Sequence, residues 1–337
     1  MTMKGTWPMT LCEKTYRYLF LSLLLLFGVS SAFGATTLLK EQHWELATHV
    51  GQSLHIKLPI QNCTIVTTPG NALQVRWEVR GNSENSAAIQ KRIQDAMVAV
   101  KTVGNVIQVQ PIHASIGENF TTHVGTVQFF QDIWGWIIHG GSPIHDLVSR
   151  AIGIHVSVHI EAPAYLPVRA ELGTGHFVFQ NPKATTPLVV KDGTGQTKID
   201  ASSSYIRATN GTGTLSVQQI DGARTILKEG TGSVQWRGTT KFLRVGSGTG
   251  DVHLHAGVLA AGTHINAQTG TGDLTVCFRG KQSLDGTIDS GIGHLDLSYP
   301  LPPTRIDEHK YQFGTRSDAV RVHLQSGTGN IALRGCQ

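Results

Sequence analysis

One tripeptide recurs through the C-terminal half of this chain and limits what it can fold into. Gly-Thr-Gly occurs as Gly173/Gly175, Gly193/Gly195, Gly211/Gly213, Gly230/Gly232, Gly248/Gly250, Gly270/Gly272 and Gly327/Gly329, with Gly291-Ile292-Gly293 as a variant. Successive copies begin 20, 18, 19, 18, 22, 21 and 36 residues apart. A fixed period in this range is the signature of a repeat architecture, and it takes precedence over any local reading. The long last interval contains Pro300, Pro302 and Pro303 and reads as a loop or a degenerate coil.

The flanks repeat with the glycines. The second and fourth residues after each corner are apolar in every copy except at Thr197: Phe177/Phe179, Ile199, Leu215/Val217, Val234/Trp236, Val252/Leu254, Leu274/Val276, Leu295/Leu297 and Ile331/Leu333. The fifth and third residues upstream, such as Val168/Ala170, Leu188/Val190 and Leu243/Val245, behave likewise. Period-two alternation marks strands with one buried face. The in/out phase breaks across Gly-Thr-Gly, so the chain must bend there, and glycine permits either positive φ or close backbone approach. Stacked at ~4.8 Å per coil, such units would build an aliphatic interior and a corner row of threonines able to hydrogen-bond along the stack. An antiparallel meander with Gly-containing hairpin loops is the competing arrangement. The near-constant period and superposable inward positions favour a β-solenoid.

Upstream, residues 35–111 read as strands with one capping helix. Leu54–Leu58, Val75–Val79 and Val106–Val109 alternate, and Ile89, Ile93, Met97 and Val100 recur at helical spacing over 84–101 behind Asn82-Ser83. Such a helix would cover the open end of the stack. Residues 112–150 form an aromatic-rich insertion. Its Phe129, Phe130, Trp134 and Trp136 are candidate ligand-binding residues if exposed and core if folded onto the coils. Alternation resumes after 151 and leads into the repeat.

Residues 1–34 have the form of a secretory signal peptide. Lys4, Lys14 and Arg17 precede the apolar run 19–29, and a small-residue exit places cleavage after Gly34 or Ala35, with Ala32 as the alternative. The run is shorter than the ~20 residues of a span, Cys12 precedes it, and no second long apolar stretch occurs. The expectation is an exported protein of the periplasm, outer surface or medium, without a transmembrane span after cleavage. The segment holds three basic residues and one acidic one, so the net charge of +5 falls to +3. That excess reads as dispersed, without the basic patch and interleaved aromatics of a nucleic-acid groove. Cys63, Cys277 and Cys336 allow at most one internal disulfide. Two repeats of separation would put Cys277 and Cys336 beyond the ~7 Å Cα limit unless the tail folds back.

Runs such as Ser-Gly-Thr-Gly-Asp-Val-His-Leu (247–254) and Thr-Gly-Thr-Gly-Asp-Leu-Thr-Val (269–276) resemble the repeated units of a bacterial putative-adhesin family of unknown function. The resemblance covers 151–337 and, more weakly, 50–111. It implies a right-handed parallel β-helix associated with the cell envelope and brings no catalytic residues or cofactor.

The outward ladders offer two candidate sets for chemistry. Asp251, Asp273 and His294, each just after a corner, would stack on adjacent coils as a cation-binding or acid/base set, or serve as turn residues. His253, His255 and Cys277 form a second donor group without recognised zinc spacing. No nucleophile elbow occurs, and the glycine units lack the lysine and helix of a phosphate loop. The expected function is therefore a non-enzymatic, adhesin-like binding or structural protein without cofactor, whose partner is an envelope or cell-surface protein or glycan. A carbohydrate-active β-helix enzyme, a polysaccharide lyase or hydrolase, is the alternative.

Overall fold

The computed structural model describes residues 37–60, 62–81, 97–112, 155–181, 186–299, 304–314 and 319–336. The expected signal peptide, residues 84–96 of the expected helix and residues 113–150 of the expected insertion lie outside them, including Phe129, Phe130, Trp134 and Trp136. The described chain is all-β, and no helix occurs among the described residues.

Each repeat is one coil, in which a strand runs into the glycine corner, bends, and continues as a second strand. β8 (Val168–Asn181), β9 (Leu188–Ala201) and the long β10 (Tyr205–Thr249) carry the first five corners. β8 and β9 pair parallel and in register on both sides of the bend, Ala170 opposite Val190 and Phe179 opposite Ile199. β9 and β10 continue the same register, Val190 opposite Ala208 and Ile199 opposite Val217. On the far side, β10 pairs parallel with β12 (His264–Thr271) before the corner and β11 (Val252–Ala256) after it, and β11 pairs with β13 (Leu274–Arg279). β2 (Ser53–Ile60) and β3 (Asn62–Thr68) form an equivalent first coil without glycines, stacked parallel on β8.

The glycines divide the labour of the bend, where the sequence made them interchangeable. At the first glycine of a corner, a Cβ on Gly193, Gly211, Gly230, Gly248, Gly270 or Gly327 would strike the carbonyl of the counterpart one coil back, at 2.6 Å for Gly248 against Gly230. Gly291 meets Gly327 in the same way. The second glycines, Gly175, Gly195, Gly213, Gly232, Gly250, Gly272, Gly293 and Gly329, all have positive φ, between +130° at Gly250 and +155° at Gly293. From Gly195 onward each also lies against its counterpart's carbonyl more closely still. Close approach therefore excludes a side chain at one position, and close approach together with positive-φ backbone excludes it at the other.

The corners also differ from simple breaks between strands. Gly175 lies inside β8, Gly195 inside β9, and Gly213 and Gly232 inside β10, because pairing such as Gly175 with Gly195 carries the ladder through the bend. Gly250, Gly272, Gly293 and Gly329 instead follow the strand ends at Thr249, Thr271, Ile292 and Thr328. After three of these later corners the next backbone donor turns to a side chain: Asp273 N–H to Asp251, Asn330 N–H to Asp273 and His294 N–H to Asn330. The corner threonines are at least partly solvent-facing, and among the described residues no hydrogen bond runs along their row. The outward bend carries those hydroxyls to water rather than to one another.

Inward positions form one continuous core. Leu54, Leu188, Ile206 and Leu243 are fully or almost fully buried before the corners, as are Phe177, Leu215, Val234, Val252, Leu274 and Ile331 after them. Leu295 and Leu297, on the last coil, are only partly buried. The polar exceptions have buried partners: Thr197 donates to Asp192 Oδ2 at 2.9 Å, and Thr225 donates to Gln219 Oε1.

The ends of the stack depart from expectation. Residues 97–101, assigned to a capping helix by their spacing, belong to β5 (Met97–Val103). β5 turns back as an antiparallel hairpin with β6 (Val106–Ile112) through Gly104-Asn105, with Gly104 at φ +58°. A Gly-Asn pair flanked by β-branched residues is a hairpin turn, and that local chemistry overrides the helical spacing. β6 pairs parallel with β2. After the corner, β1 (Thr37–Ala47) and β4 (Ala72–Gly81) pair antiparallel, and β4 pairs antiparallel with β7 (His155–Pro163), which pairs parallel with β3.

At the other end, spatial order no longer follows the chain. β14 (Leu284–Ile292) and β15 (Leu295–Ser298) do not pair with the coil that precedes them. β18 (Val320–Thr328) and β19 (Ile331–Cys336) lie between, pairing with β12 and β13 on one side and with β14 and β15 on the other. An antiparallel pair, β16 (Thr304–Arg305) and β17 (Lys310–Phe313), closes the outer edge of β14.

Candidate functional site

Three columns of polar side chains follow from this register. The first lies just outside each corner. Asp251 Oδ1 accepts the Asp273 backbone N–H at 2.9 Å, Asp273 Oδ1 accepts the Asn330 N–H at 2.8 Å, and Asn330 Oδ1 accepts the His294 N–H at 2.9 Å. Asn62 repeats the contact at the first coil, accepting from His176 N at 3.1 Å. Asp251, Asp273 and His294 thus share one column, but Asn330 separates the last two because the C-terminal coil is inserted between them. One oxygen of each aspartate caps the backbone donor of the next coil, which is the local role that Asp and Asn serve at bends.

The second column lies just inside the corner, at the residue before each first glycine. Asp192, Asn210, Glu229, Ser247, Thr269, Ser326 and Ser290 succeed one another along the stack, and all are buried. Desolvation pushes the Asp192 carboxyl up to about 6, against the lowering pull of its Thr197 hydrogen bond. Desolvation pushes Glu229 up to about 7, opposed by the neighbouring Asn210 amide and reinforced by Asp192. Neither Glu229 oxygen has a hydrogen-bond partner within bonding geometry. Burial without full pairing favours the neutral acid. The column was hidden in the sequence because position −1 mixes Leu172, acids, an amide and hydroxyls, which share only a register.

The third set faces solvent after the corner. Ser216, Gln218, Gln235, Arg237, His253 and His255 line a shallow depression of about 420 Å³ on the outer surface of the parallel strands. Beside it, a disulfide joins Cys277 to Cys336, with Cα atoms 5.5 Å apart. The tail does return, as coil insertion brings β19 next to β13. His255, Cys277 and Cys336 bring their donor atoms within 4.8 Å of one another. With the two sulfurs bonded together the set offers one imidazole and no thiolate, and metal binding through cysteine needs the thiolate. His253, grouped with His255 and Cys277 by sequence, is not part of that triad. Burial and the charge of Arg237 hold the His255 imidazole below its usual range. Cys63 is free and fully buried, its thiol pushed up to about 12 by desolvation, which makes it an inert core residue.

No protein-family model matches the chain, and no curated protein matches it. Several solved structures align with most of its length. A "putative cell adhesion protein" from Clostridium sporogenes ATCC 15579 is 10% identical, with 88% of this chain and 100% of that one covered at a TM-score of 0.29. A "putative lipid binding protein" from Parabacteroides distasonis ATCC 8503 is 8% identical, covering 88% and 97% at 0.37. A "putative adhesin" from Parabacteroides merdae ATCC 43184 is 10% identical, covering 88% and 97% at 0.36. Likeness at this level assigns no function. No described helix is long and apolar enough to cross a membrane.

Proposed function

We propose that this chain is an exported, non-enzymatic β-solenoid that serves as an adhesin-like binding or structural element of the cell envelope. The observation that carries the reading is the parallel register from β2 to β15, carried through β10 by Gly230 lying on Gly211 and Gly248 on Gly230. It turns a chain of short repeats into long, regular, solvent-facing ladders whose inward side is wholly structural. The carboxylates that a lyase or hydrolase would recruit have structural work, since Asp251 and Asp273 cap backbone donors. The partner on this reading is a cell-surface or envelope protein or glycan.

The test joins location with chemistry. Fractionation with protease shaving of intact cells is expected to find the chain in the envelope or outside the cell. The double variant Asp251→Asn/Asp273→Asn keeps both acceptor oxygens and removes both charges. Unchanged binding to whole envelopes is expected. Polysaccharide-degrading activity in the wild type that disappears in this variant would establish the enzyme instead.

A further inference from the structure

The basic residues of the repeat look scattered in sequence because each is separated from the next by about one coil. The register gathers them. Four residues before each first glycine stand Arg169, Val189, Arg207, Ile226 and Arg244 on successive coils, and two residues before it stand Glu171, Lys191, Thr209, Lys228 and Gly246. Strand pairing fixes the columns directly for Arg169, Val189 and Arg207, and for Glu171, Lys191 and Thr209. Arginine therefore occupies alternate coils in one column and lysine the intervening coils in the next, a checkerboard of five cations, all exposed. Like charges within a column are spaced by two strands, about 10 Å, and the columns lie about 7 Å apart along the strand.

Little neutralises this face. Glu171 is the one acid in the two columns over these coils, and it is held by Arg169 at 2.7 Å. Arg207, Lys228 and Arg244 have no ion pair among the described residues. At one end, His55, Lys57, Gln108, Gln110, Arg169 and Glu171 line a depression of about 270 Å³. The face after the corner is different: its outward residues on the same coils include Lys198 and Arg237 against Asp200 and are otherwise mostly uncharged.

We propose that this checkerboard is a docking face for a linear anionic glycan, carrying carboxylates or sulfates at a disaccharide repeat and lying along the stack across the strands. The proposal rests on the reading of the chain as an envelope binding protein and names the chemistry of its partner. Charge complementarity supplies the attraction, and a repeated cation array on a rigid sheet matches a repeated anion on a semi-rigid polymer. Nucleic acid fits less well, because among the described residues no row of aromatics offers a stacking platform on this face; the Phe242 ring is covered by the Arg224 guanidinium at 4.9 Å. An anionic membrane fits less well because the most exposed large apolar residues among those described, Val50, Val258 and Ile292, lie outside these two columns.

The test uses the full chain against immobilised dextran sulfate and polygalacturonate, which separate sulfate from carboxylate recognition, with neutral dextran as the blank. Arg207→Thr/Lys228→Thr/Arg244→Thr removes three cations from the checkerboard. Lys198→Thr/Arg237→Thr/Arg279→Thr removes three from the face after the corner for the same change in net charge. Circular dichroism and melting curves confirm that both fold. The expected result is salt-sensitive binding to at least one polyanion, reduced about 100-fold by the first triple and less than about 3-fold by the second, with a shallower salt slope for the first alone. Failure to bind either polyanion overturns the proposal. So does equal loss in both triples, or duplex DNA or phosphatidylglycerol vesicles binding as tightly as the glycans. A chain shaved from the cell surface that fails here loses only its glycan, whereas a cytoplasmic chain that passes loses the envelope reading and keeps the binding face.

Discussion

Cys277 and Cys336 are 59 residues apart in the chain and 5.5 Å apart between Cα atoms. The C-terminal coil enters the stack ahead of the coil that precedes it in sequence, and the disulfide closes a loop around that exchange. Closing a loop of this length stabilises by about 4 kcal/mol on the chain-entropy account. Cys277→Ser/Cys336→Ser is expected to lower the denaturation midpoint accordingly and to speed proteolysis within 284–336. Denaturant titration and limited proteolysis, with and without reductant, check both.

The glycines make a paired prediction. Gly213 has φ +139°, and a Cβ there would strike the Gly195 carbonyl, so Gly213→Ala should cost about 3 kcal/mol or more, or prevent folding. Gly246 lies on an ordinary stretch of strand with nothing within 4 Å of a built Cβ. Gly246→Ala should fall within about 0.5 kcal/mol of wild type. Equal effects of the two in thermal melts would contradict the stacked-corner geometry.

Glu229 should make stability depend on pH. Its folded value is raised to about 7, so between its unfolded value and 7 the unfolded chain releases a proton that the folded chain keeps. Stability from this group is complete below the unfolded pKa and is lost as pH rises through the folded one. Glu229→Gln removes the titration. Its melting temperature relative to wild type is expected to climb from about pH 4.5 to 7 and then level off. A flat difference across that range would show that the acid is not held neutral.

Asp273 joins three coils by accepting from Asn330 and extending the column from Asp251. Asp273→Ala leaves the Asn330 N–H without its acceptor and should cost about 1–2 kcal/mol. Asp273→Asn keeps an oxygen in place and should cost less than half of that. Urea melts of the two variants distinguish a capping residue from a charge that is needed for its own sake.

Which of these features the sequence announces depends on whether the signal is local. The corners and inward columns were legible because Phe177, Leu215 and Val252 hold fixed offsets from glycines that nothing else could replace. The split between Gly230, held by close approach alone, and Gly232, held by its φ as well, was not, since both read as the same letter. The helix expected over 84–101 fails at 97–101 because Met97 and Val100 also fit a strand, and the Gly104-Asn105 turn decides for the hairpin. The charge checkerboard, the inner column at Asp192 and Glu229 and the Cys277–Cys336 bridge were also not legible. Each depends on which coils become neighbours, and the insertion of 320–336 between 265–279 and 284–298 leaves no mark in the local pattern.

That insertion constrains when the molecule can be finished. β14 and β15 have no parallel neighbour among the described residues until β18 and β19 arrive, and those strands follow them in the chain. These outer layers therefore cannot be completed in the order in which the chain supplies their strands. Closure waits for residues 320–336, and the disulfide forms only once β19 lies beside β13.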